Sequence, residues 1–177
     1  MNKMIPALVA ATFALGTSTA FAATATVTVN TIDANGVGAK IGTITLTDTP
    51  GGLMLTPNLN GLPPGSHGFH VHTNPNCGQG KGPNGQMAAG FAAGGHFDPM
   101  NIGKHLGPMS TEGHKGDLPV LVVDDKGNAT KPVTAPHLKV ADVKDHSIMI
   151  HAGGDNYSDQ PAPLGGGGAR IACGVVK

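Results

Sequence analysis

Residues 23–48 read ATATVTVNTIDANGVGAKIGTITLTD, and this stretch indicates the fold class. Residues 23–30 alternate threonine with alanine and valine. Residues 40–48 place Ile and Thr on one phase and Gly or apolar residues on the other. Such alternation is typical of strands with one buried face. Asn35-Gly36 between the two segments is a tight-hairpin signal. The stretch therefore predicts two antiparallel strands joined by a short turn.

Further β-rich segments follow, separated by Gly and Pro. They cover residues 53–56, 68–72, 119–123, 129–133, 147–151 and 169–176. Helical periodicity is nearly absent, and only residues 139–144 are compatible with a turn of helix. Eight short strands with this punctuation predict an all-β fold, an immunoglobulin-like sandwich or flattened eight-stranded Greek-key barrel.

Two connections are much longer than the others, at residues 73–118 and 152–168. Loops longer than about 12–15 residues in a compact domain are usually functional or disordered. The first is rich in histidine, so we expect a functional loop. The second ends in glycines at 165–168 but lacks the Lys-Ser/Thr of a phosphate loop. We interpret these glycines as freedom for a tight return of the backbone, not as nucleotide binding.

The first 22 residues have the features of a secretory signal. Lys3 gives a positive start, residues 4–16 are mostly apolar, and residues 20–22 fit the small-x-small cleavage pattern. A membrane anchor is the weaker alternative, because the apolar run is shorter than the roughly 20 residues of a spanning helix. We expect cleavage after residue 22, export from the cytoplasm, and one domain over residues 23–177.

Charge and aromatic content exclude some partners. Loss of Lys3 leaves ten of the 11 Lys+Arg against 11 Asp+Glu. This balance provides no positive surface for nucleic acid or an anionic membrane. The chain has no Trp and a single Tyr, Tyr157, so base stacking is poorly served. We expect no nucleic-acid partner and no stable membrane association.

Cys77 and Cys173 are the only cysteines in the chain. In an exported protein an even number of cysteines favours a disulfide. Two free buried thiols and two metal ligands are the alternatives, and an oxidising compartment disfavours both. A bridge would close a long loop, a constraint worth up to about 4–5 kcal/mol in the chain-entropy account.

Histidines form two patterns that indicate metal binding. His70 and His72 share one face of a predicted strand, because side chains alternate along a strand. Two neighbouring imidazoles can hold one metal ion, although this pattern alone is often only a surface pair. His67 falls on the other phase, and we interpret it as structural, bonded to backbone. His151 ends another predicted strand, where it can meet ligands from elsewhere in the fold.

The second pattern lies in the first long loop. His96, His105 and His114 recur at nine-residue intervals, and Asp117 follows. Neutral imidazole and carboxylate are zinc ligands, and four of them close a tetrahedral structural site. A bound metal would supply ordering energy that a polar, glycine-rich loop lacks. A solvated loop that is rich in histidine by chance is the alternative, but it does not explain the flanking Gly and Pro turns.

Six motifs resemble, in order, those of the copper–zinc superoxide dismutase family. They are GFHVH at 68–72, GHFDP at 95–99, KHLGP at 104–108, HKGDL at 114–118, IHAGGDN at 150–156 and ARIACGV at 169–175. Each motif alone is weak, but six in order over most of the mature chain are highly specific. The segment SDQP at 158–161, followed by Leu164 and four glycines, is similar to the bacterial periplasmic branch.

The resemblance implies a superoxide dismutase with one copper and one zinc ion per subunit. The implied copper ligands are His70, His72, His96 and His151. The implied zinc ligands are His96, His105, His114 and Asp117, so that His96 bridges both ions as an imidazolate. The barrel fold is implied as well, since this enzyme is one of the known sandwich architectures.

Further roles follow from the same resemblance. Asp155 would accept hydrogen bonds from ligand histidines on both sides. Arg170 would stand over the open copper face and, with His96, act in catalysis on superoxide. The Cys77–Cys173 bridge would pin the metal-binding loop beside Arg170. The family in bacteria includes monomers and homodimers, and both remain open for this chain.

The second long loop of this sequence provides no lysine that could attract superoxide from a distance. Residues 152–168 contain two aspartates but no lysine. Long-range attraction of a small anion must therefore come from elsewhere, and Lys81, Lys104 and Lys115 are the candidates.

Three other functions are compatible with parts of the pattern. A periplasmic copper/zinc binding or delivery protein would keep the ligands but would need neither Arg170 nor a closed zinc cage. Copper carriers favour Met or Cys, and the methionines here are scattered. A zinc hydrolase would need an open zinc position, whereas the inferred ligand set is full. In a purely structural sandwich domain the histidines would bind nothing, and metal analysis would separate that case.

Overall fold

The computed structural model describes residues 22–177. The predicted signal segment lies outside the described residues except for Ala22, and its cleavage stays a prediction. No helix in the described part of the chain is long and apolar enough to cross a membrane.

Antiparallel strands make up nearly all of the regular structure. The strands are β1 (Thr24–Asp33), β2 (Gly36–Thr49), β3 (Gly52–Leu59), β4 (Gly65–His67), β5 (Phe69–His72), β6 (Gly80–Lys81), β7 (Met87–Ala88), β8 (Leu121–Val123), β9 (Val133–Ala135), β10 (Ser147–His151) and β11 (Arg170–Val175). The helix α1 covers Val140–Val143, and 3₁₀ turns cover Phe91–Ala93 and Pro163–Gly166.

Seven of the strands form one curled antiparallel sheet, in the order β5-β10-β11-β1-β2-β3-β9. The C-terminal strands β10 and β11 therefore lie between β5 and β1, which is a Greek-key connection. Strands β4 and β8 form a second ladder, and β6 and β7 form a small hairpin. The prediction of an all-β, immunoglobulin-like flattened barrel is confirmed.

The β1–β2 hairpin follows the alternation of its sequence. Val27 is paired with Ile44, both fully buried, whereas the threonines beside them are on the outer face. Gly36 has a φ of 112° at the turn, a conformation that favours glycine. The hydrophobic pattern thus sets the register of the first two strands.

Two groups of buried side chains hold the domain together. The larger group fills the barrel and includes Phe69, Leu121 and Ile148. The smaller group packs the first long loop onto the outside of the sheet, and consists of Ile32, Cys77, Ala93, Met149 and Cys173. Cys77 and Cys173 form the expected disulfide, with their Cα atoms 5.7 Å apart.

The structure differs from the predicted strands in several places. The strand predicted at 68–72 is present as β5 without Gly68, whose backbone N–H donates to Gly153 O (2.7 Å) and which separates β4 from β5. The short strands β4, β6 and β7 were not predicted. The predicted strand at 129–133 is displaced to β9, and Ala129 keeps only an isolated bridge to Leu59. The single turn of helix expected within 139–144 is present as α1.

Candidate metal centre

The metal-binding loop is brought to the histidine strand by backbone bridges. The loop runs back along β5, so that His96 lies opposite His72 and Asp117 lies opposite His70. The backbone N–H of Phe97 donates to Val71 O (2.8 Å), which fixes this register. Strand β10 lies on the other side of β5 and carries His151 at its end. Residues far apart in sequence therefore converge at one end of the sheet.

Seven side chains meet there in two groups that share one histidine. The first group contains His70, His72, His96 and His151. The second group contains His96, His105, His114 and Asp117. Within each group the potential ligand atoms lie within 4.8 Å of one another. All seven side chains are buried.

Most of the inward-facing ring nitrogens have no hydrogen-bond partner. In the first group these atoms are His70 Nδ1, His72 Nε2, His96 Nε2 and His151 Nε2. In the second group they are His105 Nδ1 and His114 Nδ1. A buried polar atom without a partner destabilises a fold by about 1–3 kcal/mol. Six such atoms aimed at two points fit two bound metal ions, and the donor set is one that copper and zinc accept.

The remaining ring nitrogens hold the histidines in place. His72 Nδ1 donates to Gly94 O (2.9 Å), and His151 Nδ1 contacts Gly168 O (3.3 Å). Each of these bonds assigns a proton to Nδ1 and leaves the lone pair on Nε2, the atom that points into the first group. Backbone carbonyls therefore select the tautomer that can bind a metal.

Asp155 connects the two groups. Its Oδ2 accepts a hydrogen bond from His70 Nε2 and its Oδ1 accepts one from His105 Nε2, both at 2.7 Å. The backbone N–H of Tyr157 also donates to Oδ1 (2.7 Å). One carboxylate thus orients a histidine of each group and leaves both Nδ1 atoms free for metal.

The first group is electrically neutral. Burial and the neighbouring histidines lower the pKa of His96 and that of His151 to about 3. Burial is the largest influence on His72 as well and places its pKa well below the usual value. These imidazoles are therefore uncharged near neutral pH, which is the form that coordinates metals.

The second group contains one carboxylate, that of Asp117. Burial alone would lower the pKa of His105, but the neighbouring carboxylates of Asp117 and Asp155 outweigh it and raise that pKa to about 9. Burial would raise the pKa of Asp117, but its contacts with His105, His114 and His96 hold that pKa far below its usual range. The ionised carboxylate of Asp117 supplies a negative charge that attracts a cation. Asp117 Oδ1 also lies 3.0 Å from His96 Nδ1, so His96 directs one ring nitrogen to each group.

Arg170 stands at the open side of the first group. A cleft of about 230 Å³ reaches the groups from solvent, and its lining consists of Pro83, Phe91, His96, His151, Pro163, Leu164, Gly168 and Arg170. No Asp or Glu lines this cleft. Burial lowers the pKa of Arg170 to about 10, so the side chain remains cationic at neutral pH. A larger cleft of about 530 Å³ lies elsewhere, beside the disulfide, and its lining residues include no His, Asp or Glu.

The structure separates the three lysines considered for steering. Lys81 lines a second cleft together with Arg170. Lys115 is paired with Asp142, since its Nζ lies 2.8 Å from Oδ1. Lys104 is exposed and lines neither of the clefts at Arg170. His67 is confirmed as a structural residue, because its ring nitrogens contact His151 O and Pro63 O at 2.7 and 2.8 Å.

Sequence reasoning missed the surroundings of Arg170. Its Nη1 and Nη2 atoms donate to Gly90 O and Gly94 O, both at 2.8 Å. Its guanidinium carbon lies 4.1 Å from the centroid of the Phe91 ring. These residues belong to a Gly- and Ala-rich segment with no periodicity, so no signal in the sequence could have found them.

The barrel and its paired histidine groups define a protein with two adjoining metal sites, and comparisons with known proteins agree. The copper/zinc superoxide dismutase (SODC) family matches residues 40–176. "Superoxide dismutase [Cu-Zn] 2" of Salmonella typhimurium is 58% identical over 157 residues, which cover 88% of this chain and 90% of the relative.

Solved structures give the same result. The Cu/Zn superoxide dismutase from Brucella abortus superimposes with a TM-score of 0.84 at 49% identity, covering 88% of this chain and 100% of that chain. The monomeric copper, zinc superoxide dismutase from Salmonella enterica, known in solution, gives a TM-score of 0.77 at 58% identity over the same fractions.

The chain belongs to the copper/zinc superoxide dismutase family. It is an oxidoreductase that converts superoxide to oxygen and hydrogen peroxide, and its cofactors are copper and zinc. The prediction from the six motifs is confirmed at this level, and a copper/zinc delivery protein is not favoured.

Proposed function

We propose that the first group holds the catalytic copper and the second group holds the zinc, one ion of each per subunit. The copper ligands are then His70, His72, His96 and His151. The zinc ligands are His96, His105, His114 and Asp117. The observation that carries this proposal is the set of six buried ring nitrogens without partners, divided between two groups that share His96.

The chemistry of the two donor sets supports this division. Imidazole suits both oxidation states of copper, and the first group contains only imidazoles. Three histidines and a carboxylate form a closed tetrahedral set, which is typical of structural zinc. The first group is also the one that reaches the cleft, through His96 and His151. The site open to solvent is therefore the one assigned to the redox metal.

Copper, when bound, supplies the electron chemistry, since it oxidises one superoxide to oxygen and reduces a second one to peroxide. Arg170 binds and orients the anion, because its guanidinium is a permanent cation and the residue lines the cleft. The absence of acidic side chains from the cleft lining leaves this positive charge uncompensated for the substrate.

The proton for peroxide is assigned to His96. Its Nε2 lies in the first group and its ring lines the cleft, whereas its Nδ1 faces Asp117. A proton held at Nε2 is placed beside the oxygen that receives it, as general acid catalysis requires. The contact at Nδ1 keeps the ring in position while the proton moves.

The deciding experiment measures metal content and superoxide turnover on the same preparations, before and after chelation and after addition of each metal alone. We expect about one copper and one zinc per chain, loss of turnover on removal of copper, and recovery with copper. His96→Gln should retain the barrel but lose most of the turnover. Full turnover in metal-free protein, or a second copper in place of zinc, would contradict the assignment.

Location and assembly belong to the same proposal. We infer a periplasmic enzyme, exported by residues 1–22 and consisting of the domain 23–177. A disulfide is expected only in an oxidising compartment, which supports export. Monomer and homodimer are both compatible with the chain, and the similarity to the monomeric enzyme from Salmonella enterica favours the first. N-terminal sequencing of the periplasmic fraction and size-exclusion chromatography with light scattering test these points.

A further inference from the structure

Arg170 sits in a three-sided socket formed by one short turn. Gly90 O and Gly94 O, at the two ends of this turn, each accept a hydrogen bond of 2.8 Å from the guanidinium. Between them, the ring of Phe91 lies against the guanidinium, with its centroid 4.1 Å from Cζ. We infer that Phe91 is a positioning residue for Arg170, because its ring fixes the plane of the guanidinium and stabilises the cation without neutralising it.

The charge of Arg170 has no acidic partner. None of the ion pairs among residues 22–177 includes Arg170, although the side chain is partly buried. A partly desolvated cation needs compensation from its surroundings. A carboxylate would give it but would also cancel the field that attracts an anion. The face of an aromatic ring is electron-rich and attracts a cation while carrying no net charge. Phe91 thus leaves the full positive charge available to the substrate.

The backbone of the turn that carries Phe91 is closely packed at two glycines. Gly90 has a φ of 72°, and a side chain there would lie 2.6 Å from Ile32 Cδ1 and 3.2 Å from Arg170 Cδ. A side chain at Gly80, on β6, would lie 2.5 Å from the carbonyl carbon of Phe91. Both glycines therefore permit contacts that a larger residue would block. The socket is packed against the sheet through Ile32 and against the β6–β7 hairpin through Gly80.

Phe91 also borders the clefts that lead to the candidate metal centre. Phe91 and Arg170 line both the cleft that contains His96 and His151 and the adjoining cleft of about 330 Å³ that contains Lys81. Phe91 and Arg170 therefore lie where the cleft that contains Lys81 meets the cleft that contains His96 and His151. This inference rests on the role proposed above for Arg170 as the residue that binds the anion.

The chain offers a direct test, since Arg170 is its only arginine. Phenylglyoxal modifies arginine, so its reaction with metal-free protein, followed by mass spectrometry of the Arg170 peptide, reports on this side chain alone. We expect Phe91→Leu to raise the modification rate about three- to tenfold, because the attraction between ring and cation is lost. Phe91→Tyr keeps the aromatic face and should react within about twofold of the parent protein.

Phe97→Leu is the matched control. Phe97 lies in the same loop, but its ring packs on His146, with the centroids 4.2 Å apart. Phe97→Leu should lower the thermal stability of the protein and leave the reactivity of Arg170 unchanged. Equal rates for Phe91→Leu and the parent, or equal rates for Phe91→Leu and Phe91→Tyr, would overturn the inference.

Two further measurements keep the test decisive. In the unmodified protein, the single arginine Nε–H signal in a ¹⁵N–¹H spectrum should show a ring-current shift to high field, and a random-coil position would overturn the inference even if Phe91→Leu fails to fold. Azide titration of copper-loaded protein, followed by visible absorption, should show affinity about threefold weaker in Phe91→Leu. If Arg170→Ala leaves azide affinity unchanged while Phe91→Leu still exposes Arg170, the anion-binding role fails and the positioning role stands.

Discussion

The two metal groups share a histidine and yet have opposite electrostatic character. The first group is all imidazole, its histidines have lowered pKa values, and it opens to a cleft with an unpaired arginine. The second group contains a buried carboxylate, holds His105 at a raised pKa, and does not include the residues of the cleft apart from His96. A neutral, open group permits exchange with a small anion, whereas a charged, closed group retains its ion. We therefore expect the first group to govern turnover and the second group to govern stability.

The largest expected effects come from substitution of His151 or His114, which should affect different metals and different properties. His151→Ala should reduce copper content and lower turnover by about two orders of magnitude or more, while zinc content and most of the thermal stability remain. His114→Ala should lower zinc content and thermal stability first, because the metal orders the loop. Metal analysis, turnover and thermal unfolding of both variants test this. Equal losses of both metals in both variants would break the comparison.

Removal of the charge at Arg170 tests how much the cleft at the first group contributes to turnover, separately from metal binding. Arg170→Ala should lower kcat/KM about tenfold to a hundredfold, since a charge-assisted contact to the anion is worth about 1.5–3 kcal/mol. Copper and zinc contents should stay at the parent level because Arg170 belongs to neither group. Pulse radiolysis and metal analysis provide the readouts. Unchanged kcat/KM in this variant would refute its role.

The free energy of unfolding of the metal-free protein should fall at both acidic and alkaline pH, for a different reason in each group. His96 and His151 have pKa values near 3 in the fold against about 6.5 when unfolded. The unfolded chain therefore binds more protons between these values, and the free energy of unfolding should fall as the pH drops below about 6.5. The shift is in the opposite direction for His105, since folding raises its pKa to about 9. Its stabilisation should be complete below about pH 6.5 and lost as the pH rises through about 9.

Chemical denaturation of chelated protein from pH 4 to pH 10 measures these slopes. In His105→Gln the alkaline loss should disappear while the acidic loss remains, and in His151→Gln the acidic loss should shrink. A stability that is flat on the alkaline side in the unmodified chelated protein would show that His105 does not carry the raised pKa.

The smallest expected effect concerns attraction at a distance. Lys81→Gln should lower kcat/KM about twofold to threefold at low ionic strength, and the difference should vanish near 0.15 M salt as screening shortens the range of the field. Lys115→Gln serves as the control, because Lys115 is already paired with Asp142. An equal loss in both variants would show that net charge, not the position of Lys81, matters.

Much of the fold was predictable because period-two alternation gives a direct signal. It was strong in β1 and β2, where Val27 and Ile44 point inward and the threonines outward. It was absent for β6 and β7, which have only two residues each and carry no periodicity. The break at Gly68 depends on its bond to Gly153, a residue of another loop. Tertiary contacts of this kind leave no mark on local sequence.

The candidate site was predictable for a different reason. The candidate ligand residues were found through six ordered motifs, and the structure brings them together in the two groups described above. What holds them was not predictable, since the bridges His72 to His96 and His70 to Asp117 join positions distant in the chain. The socket of Arg170 was missed because backbone carbonyls have no sequence signature and Phe91 lies among glycines and alanines.

Asp155 links the affinities of the two groups for their metal ions. One oxygen holds a histidine of the first group and the other holds a histidine of the second, each at 2.7 Å. An ion that immobilises either imidazole also immobilises the shared carboxylate, so the second ion meets a partner whose orientational freedom has already been lost. The two affinities are then linked, and linkage is reciprocal: zinc strengthens the binding of copper by the same factor by which copper strengthens that of zinc.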